Sequence, residues 1–112
     1  MKYMLLVYDD PTQWENISEA EMQGLYPEYA AVAQNPATVS SAQLKPVETA
    51  KTVRIKGGDT LVTDGPFAET KEQLGGYYLV EADSIDDAAK IAAQIPSARM
   101  GGSVEVRPLV EM

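Results

Sequence analysis

The residues best suited to chemistry lie in one short stretch near the middle of the chain. Asp64-Gly65-Pro66-Phe67 places a carboxylate, a tight turn and an aromatic ring in four consecutive positions. On the wall of a pocket, Asp64 would be a catalytic acid or base, because a positioned carboxylate can take up and return a proton. Alternatively, Asp64 forms the turn and caps the backbone of the Gly-Pro bend. The sequence leaves both interpretations open.

A second catalytic candidate follows the bend. Lys71 would bind an anionic substrate or neutralise Asp64, although a lysine in a polar loop is usually a solvated surface residue. Pro66 and Phe67 would supply apolar surface to the same pocket, since the tight turn brings Phe67 back over the strand end. We therefore expect the bend to border the main pocket of the protein.

Three aromatic residues in the first third of the chain are candidate ligand-binding residues. Tyr26 and Tyr29 recur at helical spacing, which is also typical of core positions. Trp14 lies outside any periodic element, which favours a pocket wall or a subunit interface.

The composition excludes several kinds of site. The chain has no histidine and no cysteine, which removes the commonest general base, a thiol nucleophile and a thiolate zinc site. The pairs Gly57-Gly58 and Gly75-Gly76 lack the spacing of a phosphate loop. A strand end accounts for Asp9-Asp10, so these residues do not indicate a metal site by themselves. We expect no metal and no cofactor.

The charge and hydropathy indicate where the protein works. Its formal net charge of −8 repels a phosphate backbone, so we expect no nucleic-acid partner. The apolar run at the start is too short for a signal peptide, and no later run approaches the length of a membrane span. We therefore expect a cytoplasmic protein that does not bind membranes.

The first predicted strand, residues 2–8, is apolar on both of its faces. Tyr3, Leu5 and Val7 form one set, and Met4, Leu6 and Tyr8 form the other. A strand of this kind is covered on both sides, and so short a chain has helices for only one side. A second copy of the chain would cover the other side, which predicts a homodimer.

A helix is predicted to follow, from a cap at Ser18 to a stop at Asn35-Pro36. Ser18 and Glu21 have the spacing of a capping box, in which each side chain caps the first turn. Pro27 lies within the helical pattern and should kink the helix or split it, because its ring displaces the carbonyl one turn back.

Residues 51–64 are predicted to form a hairpin around Gly57-Gly58. A two-residue turn pairs Val53 with Val62 and places Asp64 on their side of the hairpin. A three-residue loop would instead pair Ile55 with Leu61. We favour the first register, because it keeps the basic residues of the first hairpin strand on one face.

The remaining elements complete an α+β pattern. Strands are predicted at 77–82 and 103–109, a second helix begins after Ser84, and a weaker strand signal covers 39–44. The order β-α-β, hairpin, β-α-β predicts one domain, residues 1–112, with a ferredoxin-like split β-α-β sandwich and an extra β-hairpin.

The central stretch, from Leu61-Val-Thr-Asp-Gly-Pro-Phe-Ala-Glu-Thr-Lys to Gly75-Gly-Tyr-Tyr-Leu-Val, resembles the signature of DGPF-domain proteins in the YCII-related family. The opening Met1-Lys-Tyr-Met-Leu-Leu-Val-Tyr and the closing Ser103-Val-Glu-Val-Arg-Pro are similar to the ends of that family. The resemblance covers nearly the whole chain and implies a dimeric α+β barrel, in which two sheets pack face to face.

The resemblance also implies small-molecule enzymes of the muconolactone-isomerase kind, some with a His–Asp pair beside the first helix. By position the missing histidine falls near Glu28 or Tyr29, so that mechanism cannot be carried over. Two functions are left: a silent ligand-binding or regulatory dimer, which we favour, and an isomerase, lyase or dehydrochlorinase-like enzyme using Asp64 and Lys71.

Overall fold

The computed structural model describes residues 1–66, 68 and 70–111. It contains two α-helices, α1 (Glu19–Ala33) and α2 (Ile85–Ala92), and neither of these described helices is long and apolar enough to cross a membrane. The strands are β1 (Lys2–Asp9), β2 (Thr38–Gln43), β3 (Lys51–Lys56), β4 (Asp59–Asp64), β5 (Gln73–Glu81) and β6 (Ser103–Pro108). Short 3-10 helices cover Pro11–Trp14, Val47–Thr49 and Pro96–Arg99.

Four strands form one antiparallel sheet in the order β2-β5-β1-β6. Strand β5 lies between β1 and β2, so the unit formed by β1, α1 and β2 is split by a later strand. Strands β3 and β4 form a separate two-stranded sheet. This arrangement confirms the ferredoxin-like α+β fold with an additional hairpin.

The core lies between one face of the sheet and the helices. Tyr3, Leu5 and Val7 are buried on that face and pack with Val32 of α1 and with Ala88 of α2, among others. The alternate set in β1, formed by Met4, Leu6 and Tyr8, is only half-buried and points to the opposite face.

Helix α1 begins as predicted and runs through its proline. The Ser18 hydroxyl accepts a hydrogen bond from the Glu21 backbone N–H. The same hydroxyl donates a hydrogen bond to the Glu21 carboxylate, which therefore contacts the Ser18 side chain rather than its backbone. Of the two outcomes predicted at Pro27, a kink or a split, the split is wrong, because α1 is continuous from Glu19 to Ala33. Pro27 and Gln23 lie on an exposed face, so water can solvate the carbonyl that loses its partner.

Only Leu25 and Val32 of α1 are buried. A helix with so narrow a buried stripe covers the sheet incompletely. Space is therefore left between α1 and the strands beneath it.

The hairpin has the two-residue register that the sequence favours. Val53 pairs with Val62 and Lys51 with Asp64, and Gly57 and Gly58 both have positive φ angles, of 59° and 84°. Two consecutive positive φ angles are typical of the type I′ turn, which glycine adopts without steric strain.

Strand β5 begins earlier than the sequence indicates, at Gln73 rather than at Tyr77. Gly75 and Gly76 lie inside the strand, where the register against β1 shifts between Val7 and Tyr8. The predicted strand at 77–82 therefore started too late, because the two glycines form a bulge, which inserts an extra residue without ending a strand. The weak signal at 39–44 corresponds to β2.

Candidate functional site

A cleft of about 610 Å³ lies between α1 and the strands β1, β5 and β2. We call it the α1 cleft. Five aromatic residues among those that the structure describes line it: Trp14, Tyr26, Tyr29, Tyr77 and Tyr78. Its helix side is completed by apolar residues of α1, namely Met22, Leu25, Ala30 and Ala33.

Among the described residues that line the α1 cleft, the charged group is the carboxylate of Asp9, at the end of β1. Its Oδ1 atom accepts a hydrogen bond from the Ser97 hydroxyl at 2.6 Å and another from the Gln13 side-chain amide at 3.2 Å. Gln13 belongs to the 3-10 helix that follows β1, and Ser97 to the 3-10 helix that follows α2. Two segments that are far apart from each other in the sequence therefore hold this carboxylate in place.

Tyr29 joins the same hydrogen-bond chain. Its hydroxyl lies 2.8 Å from the Ser97 Oγ, and the single Ser97 proton is directed at Asp9, so Tyr29 donates to Ser97. Ser97 is fully buried. The Tyr78 hydroxyl donates to the Tyr29 backbone carbonyl at 3.2 Å, which ties α1 to β5. The chain of hydrogen bonds runs from Tyr29 through Ser97 to Asp9.

Burial raises the pKa of Tyr29 above its ordinary value of 10.0, and the negative charge of Asp9 adds to this effect. Burial also raises the pKa of Tyr78. Both phenols are therefore protonated near neutral pH and act there as hydrogen-bond donors.

Glycines make room for the carboxylate. A Cβ atom at Gly75 would lie 2.5 Å from the Asp9 Oδ2, and one at Gly76 would lie 2.8 Å from the backbone carbonyl oxygen of Ala42. Any side chain at Gly75 would displace the Asp9 carboxylate. The bulge in β5 thus allows Asp9 and β2 to approach the strand closely.

The neighbouring Asp10 has a structural role. Its Oδ1 accepts hydrogen bonds from the Thr12 hydroxyl and backbone N–H, at 2.8 and 3.0 Å, and so caps the 3-10 helix Pro11–Trp14. The side-chain and backbone hydrogen bonds from Thr12 lower the pKa of Asp10, and the Lys71 ammonium, 3.8 Å away, contributes less. Asp10 thereby fixes the segment that carries Gln13 and Trp14.

The structure brings three sequence-predicted residues to the α1 cleft. Trp14, Tyr26 and Tyr29 all line it, although Tyr26 is 60 % exposed and Tyr29 also packs against the core. Phe67, the fourth aromatic candidate, lies outside the described residues.

Two other candidates border a different surface. Pro66 and Lys71 line a hollow on the opposite side of the sheet, together with Tyr8, Leu74 and Glu105. We call it the outer hollow. The Lys71 side chain is 84 % exposed there, and its ion-pair partner is Asp10.

Asp64 lines neither the α1 cleft nor the outer hollow. Its side chain is 86 % exposed at the base of the hairpin and forms an ion pair with Lys51, the residue opposite it in the register. The structure therefore places Asp64 outside both cavities, and its side-chain partner among the described residues is Lys51. Asp64 and Lys71 are paired with different partners.

Sequence reasoning missed Asp9 and Ser97. Asp9 was explained as a strand end, and Ser97 lies in no predicted helix or strand. The two residues are 88 positions apart, so no local spacing indicates that they meet. The alternation of side chains along β1 was a usable signal. Asp9 lies two positions after Val7, so it continues the buried set that contains Leu5 and Val7.

Two comparisons with known proteins match nearly the whole chain. The model of the YCII-related domain matches residues 1–112. The chain is also 39 % identical, over 114 residues, to an uncharacterized protein of Rhizobium meliloti (strain 1021), covering 97 % of this chain and 92 % of that protein. The match extends along the whole sequence, including the strands that build the α1 cleft. The chain belongs to the YCII-related family, as its central stretch indicated.

Proposed function

We propose that this protein binds a small organic molecule in the α1 cleft. The observation that carries the proposal is an open, aromatic-lined space beside a carboxylate that two segments hold in a fixed position. Its volume of about 610 Å³ suits a compact ligand, since ligand pockets commonly occupy roughly 300–1,000 Å³. Apolar walls with one convergent polar group are typical of such pockets.

Binding is favoured over catalysis by Asp64 and Lys71. Both side chains are largely exposed and engaged in separate ion pairs, so neither is desolvated beside the other. A carboxylate exposed to water is in general a weak base for proton abstraction near neutral pH. A ligand-responsive regulatory protein fits these features better than an enzyme built on the bend.

We also propose a homodimer formed through the sheet face opposite the helices. Met4, Leu6 and Tyr8 of β1 are half-buried on that face, and the described part of the chain packs no α-helix against it. Two such faces packed together would withdraw these side chains from water. The outer hollow opens on the same face, so a partner subunit would cover it.

The binding proposal is tested by a thermal-shift screen of small amines, phenols and carboxylates, followed by a fluorescence titration. Trp14 is the only tryptophan of the chain and lines the α1 cleft, so its emission should respond directly to a bound ligand.

Ala33→Phe should abolish this response by filling the cleft, since Ala33 is exposed and lines it. Ala20→Phe is the matched control, because Ala20 is an exposed alanine of the same helix outside the cleft. A screen without binders, or binding that survives Ala33→Phe, would contradict the proposal.

A further inference from the structure

We propose that the ligand of the α1 cleft is a cation, a small primary amine with an apolar or aromatic body, whose ammonium group binds the carboxylate of Asp9. This inference rests on the proposed function, because it names the chemical class that the same cleft would accept. A cationic amine is opposite in charge to the anionic substrate that Lys71 suggested. Three features of the cleft support the inference.

The first feature is the charge of the cleft. Among the described residues that line it, Asp9 is the charged one, and no lysine or arginine is present. The basic groups nearest to this network are already engaged: Arg99 donates two hydrogen bonds to the Glu28 carboxylate, at 2.7 and 2.9 Å, and Lys71 approaches Asp10. A carboxylate ligand would therefore meet a negative charge without a compensating cation.

The second feature is the asymmetry of the Asp9 hydrogen bonds. Oδ1 accepts from both Ser97 and Gln13, whereas Oδ2 accepts no hydrogen bond from the described residues. Oδ2 lies over Gly75, which has no side chain to cover it and also lines the cleft. The carboxylate is thus fixed by one oxygen and offers the other as an acceptor, and an ammonium group supplies three donors.

The third feature is the aromatic wall around this acceptor. Trp14 and Tyr26 line the α1 cleft together with Asp9, and Tyr26 is largely exposed. Aromatic faces attract cations, and an aromatic ligand body can stack against them. A ligand with a neutral or anionic head group would gain only the stacking of its aromatic body and not the attraction between a cation and an aromatic face.

The test uses three probes that share one aromatic body: 2-phenylethylamine, 2-phenylethanol and phenylacetate. Each is titrated into the full-length protein at physiological ionic strength, with Trp14 fluorescence and calorimetry as readouts. The amine should bind about tenfold or more tightly than the alcohol, because a hydrogen bond between ionised groups is stronger than a neutral one. Phenylacetate should bind more weakly than the alcohol.

Asp9→Asn should reduce the amine's affinity to about that of the alcohol, while the alcohol's affinity changes little. The amide oxygen of asparagine can still accept from Ser97 and Gln13, so the fold should be retained. Asp64→Asn is the matched control, since it removes one negative charge from an exposed site outside the cleft. It should leave the affinities for all three probes unchanged.

The outcomes separate this inference from the proposed function. An amine preference that is lost in Asp9→Asn and kept in Asp64→Asn supports it. Tighter binding of phenylacetate or of the alcohol by the unaltered protein overturns the inference and leaves a ligand site in the cleft. Amine binding that falls equally in both variants also overturns it, because the cation would then follow only the net charge of −8. Failure of every compound in the wider screen overturns both proposals.

Discussion

Asp9 connects three parts of the molecule that are far apart in sequence. Its carboxylate joins the end of β1 to Gln13 and, through Ser97, to the hydroxyl of Tyr29 on α1. A half-buried carboxylate needs such donors, because burying a charge without hydrogen bonds is unfavourable. The same contacts that stabilise the fold therefore also position the acceptor of the α1 cleft.

The two buried tyrosines should be visible in a spectrophotometric titration. Six tyrosines are present, and the raised pKa values of Tyr29 and Tyr78 predict a component that ionises above the ordinary value of 10.0. The stability that these phenols contribute is fully present below pH 10 and is lost as the pH rises through their folded-state pKa values. Absorbance at 295 nm measures the ionisation, and Tyr29→Phe should reduce the late component. A native curve that superimposes on that of urea-unfolded protein would contradict the expectation.

Asp10→Asn should make the protein less stable at pH 7. The lowered pKa of Asp10 means that its charged form is favoured in the folded state, mainly by the two hydrogen bonds from Thr12. This contribution is present above the unfolded-state value of 3.8 and is lost as the pH falls through the lower folded-state value. Urea unfolding should therefore show a difference between variant and wild type that shrinks below pH 3.8. Asp83→Asn, at an exposed position before α2, is the control. A stability difference between Asp10→Asn and the wild type that does not depend on pH would contradict the capping role of Asp10.

At the scale of elements, the bulge in β5 determines whether the cleft can form. Gly75 gives Asp9 the space that any larger residue would occupy, and Gly76 does the same for the backbone of β2. Strand ends and bulges are where side chains can be redirected without opening the core. The local geometry of the site thus depends on residues that have no side chain.

Gly75→Ala should destabilise the protein by about 1–3 kcal/mol, the usual range for an added methyl group in a packed site. The new Cβ would lie 2.5 Å from Asp9 Oδ2, so the carboxylate must move and weaken its bond with Ser97. Gly24→Ala is a close control: Gly24 is helical, and nothing lies within 4 Å of its added Cβ. That change should stabilise by about 0.5–1 kcal/mol. Equal effects of the two substitutions in urea unfolding would contradict this account of the bulge.

The elements also show what the sequence could and could not predict. The hairpin register and the Ser18 and Ser84 caps followed from local rules, because turn and cap residues act within a few positions. The continuity of α1 through Pro27 did not follow, since it depends on which face the helix leaves in water. The junction of Asp9 with Ser97 required the folded chain, because residues far apart in sequence meet only through the packing of β1 against the segment after α2.

At the scale of the whole molecule, one face of the four-stranded sheet has no α-helix packed against it in the described part of the chain. It carries half-buried apolar residues of β1 and the outer hollow, beside which Pro66 and Lys71 lie. If a second copy covers this face, the bend around Asp64 belongs to the surroundings of the subunit interface rather than to the ligand site. That would give the central stretch a role in assembly.

Light scattering at micromolar concentration should give twice the mass of one chain. Leu6→Lys should produce monomers, because it places a charge in the middle of the proposed interface, where pairing two sheets would bury it without a partner. Ile55→Lys, on the hairpin, is the control: Ile55 is 75 % exposed and lies outside the sheet face. A monomeric wild-type protein, or a dimer that survives Leu6→Lys, would contradict the proposed assembly.

The central claim, that the α1 cleft is the ligand site, is tested most directly by mapping a bound ligand on the protein. Amide and indole N–H shifts are followed by nuclear magnetic resonance while the strongest binder from the screen is added. We predict that the largest changes occur at the Trp14 indole, Tyr29, Gly75 and Gly76, which line the cleft. Changes concentrated at Leu44, Ala50 and Lys71, around the outer hollow, would contradict it.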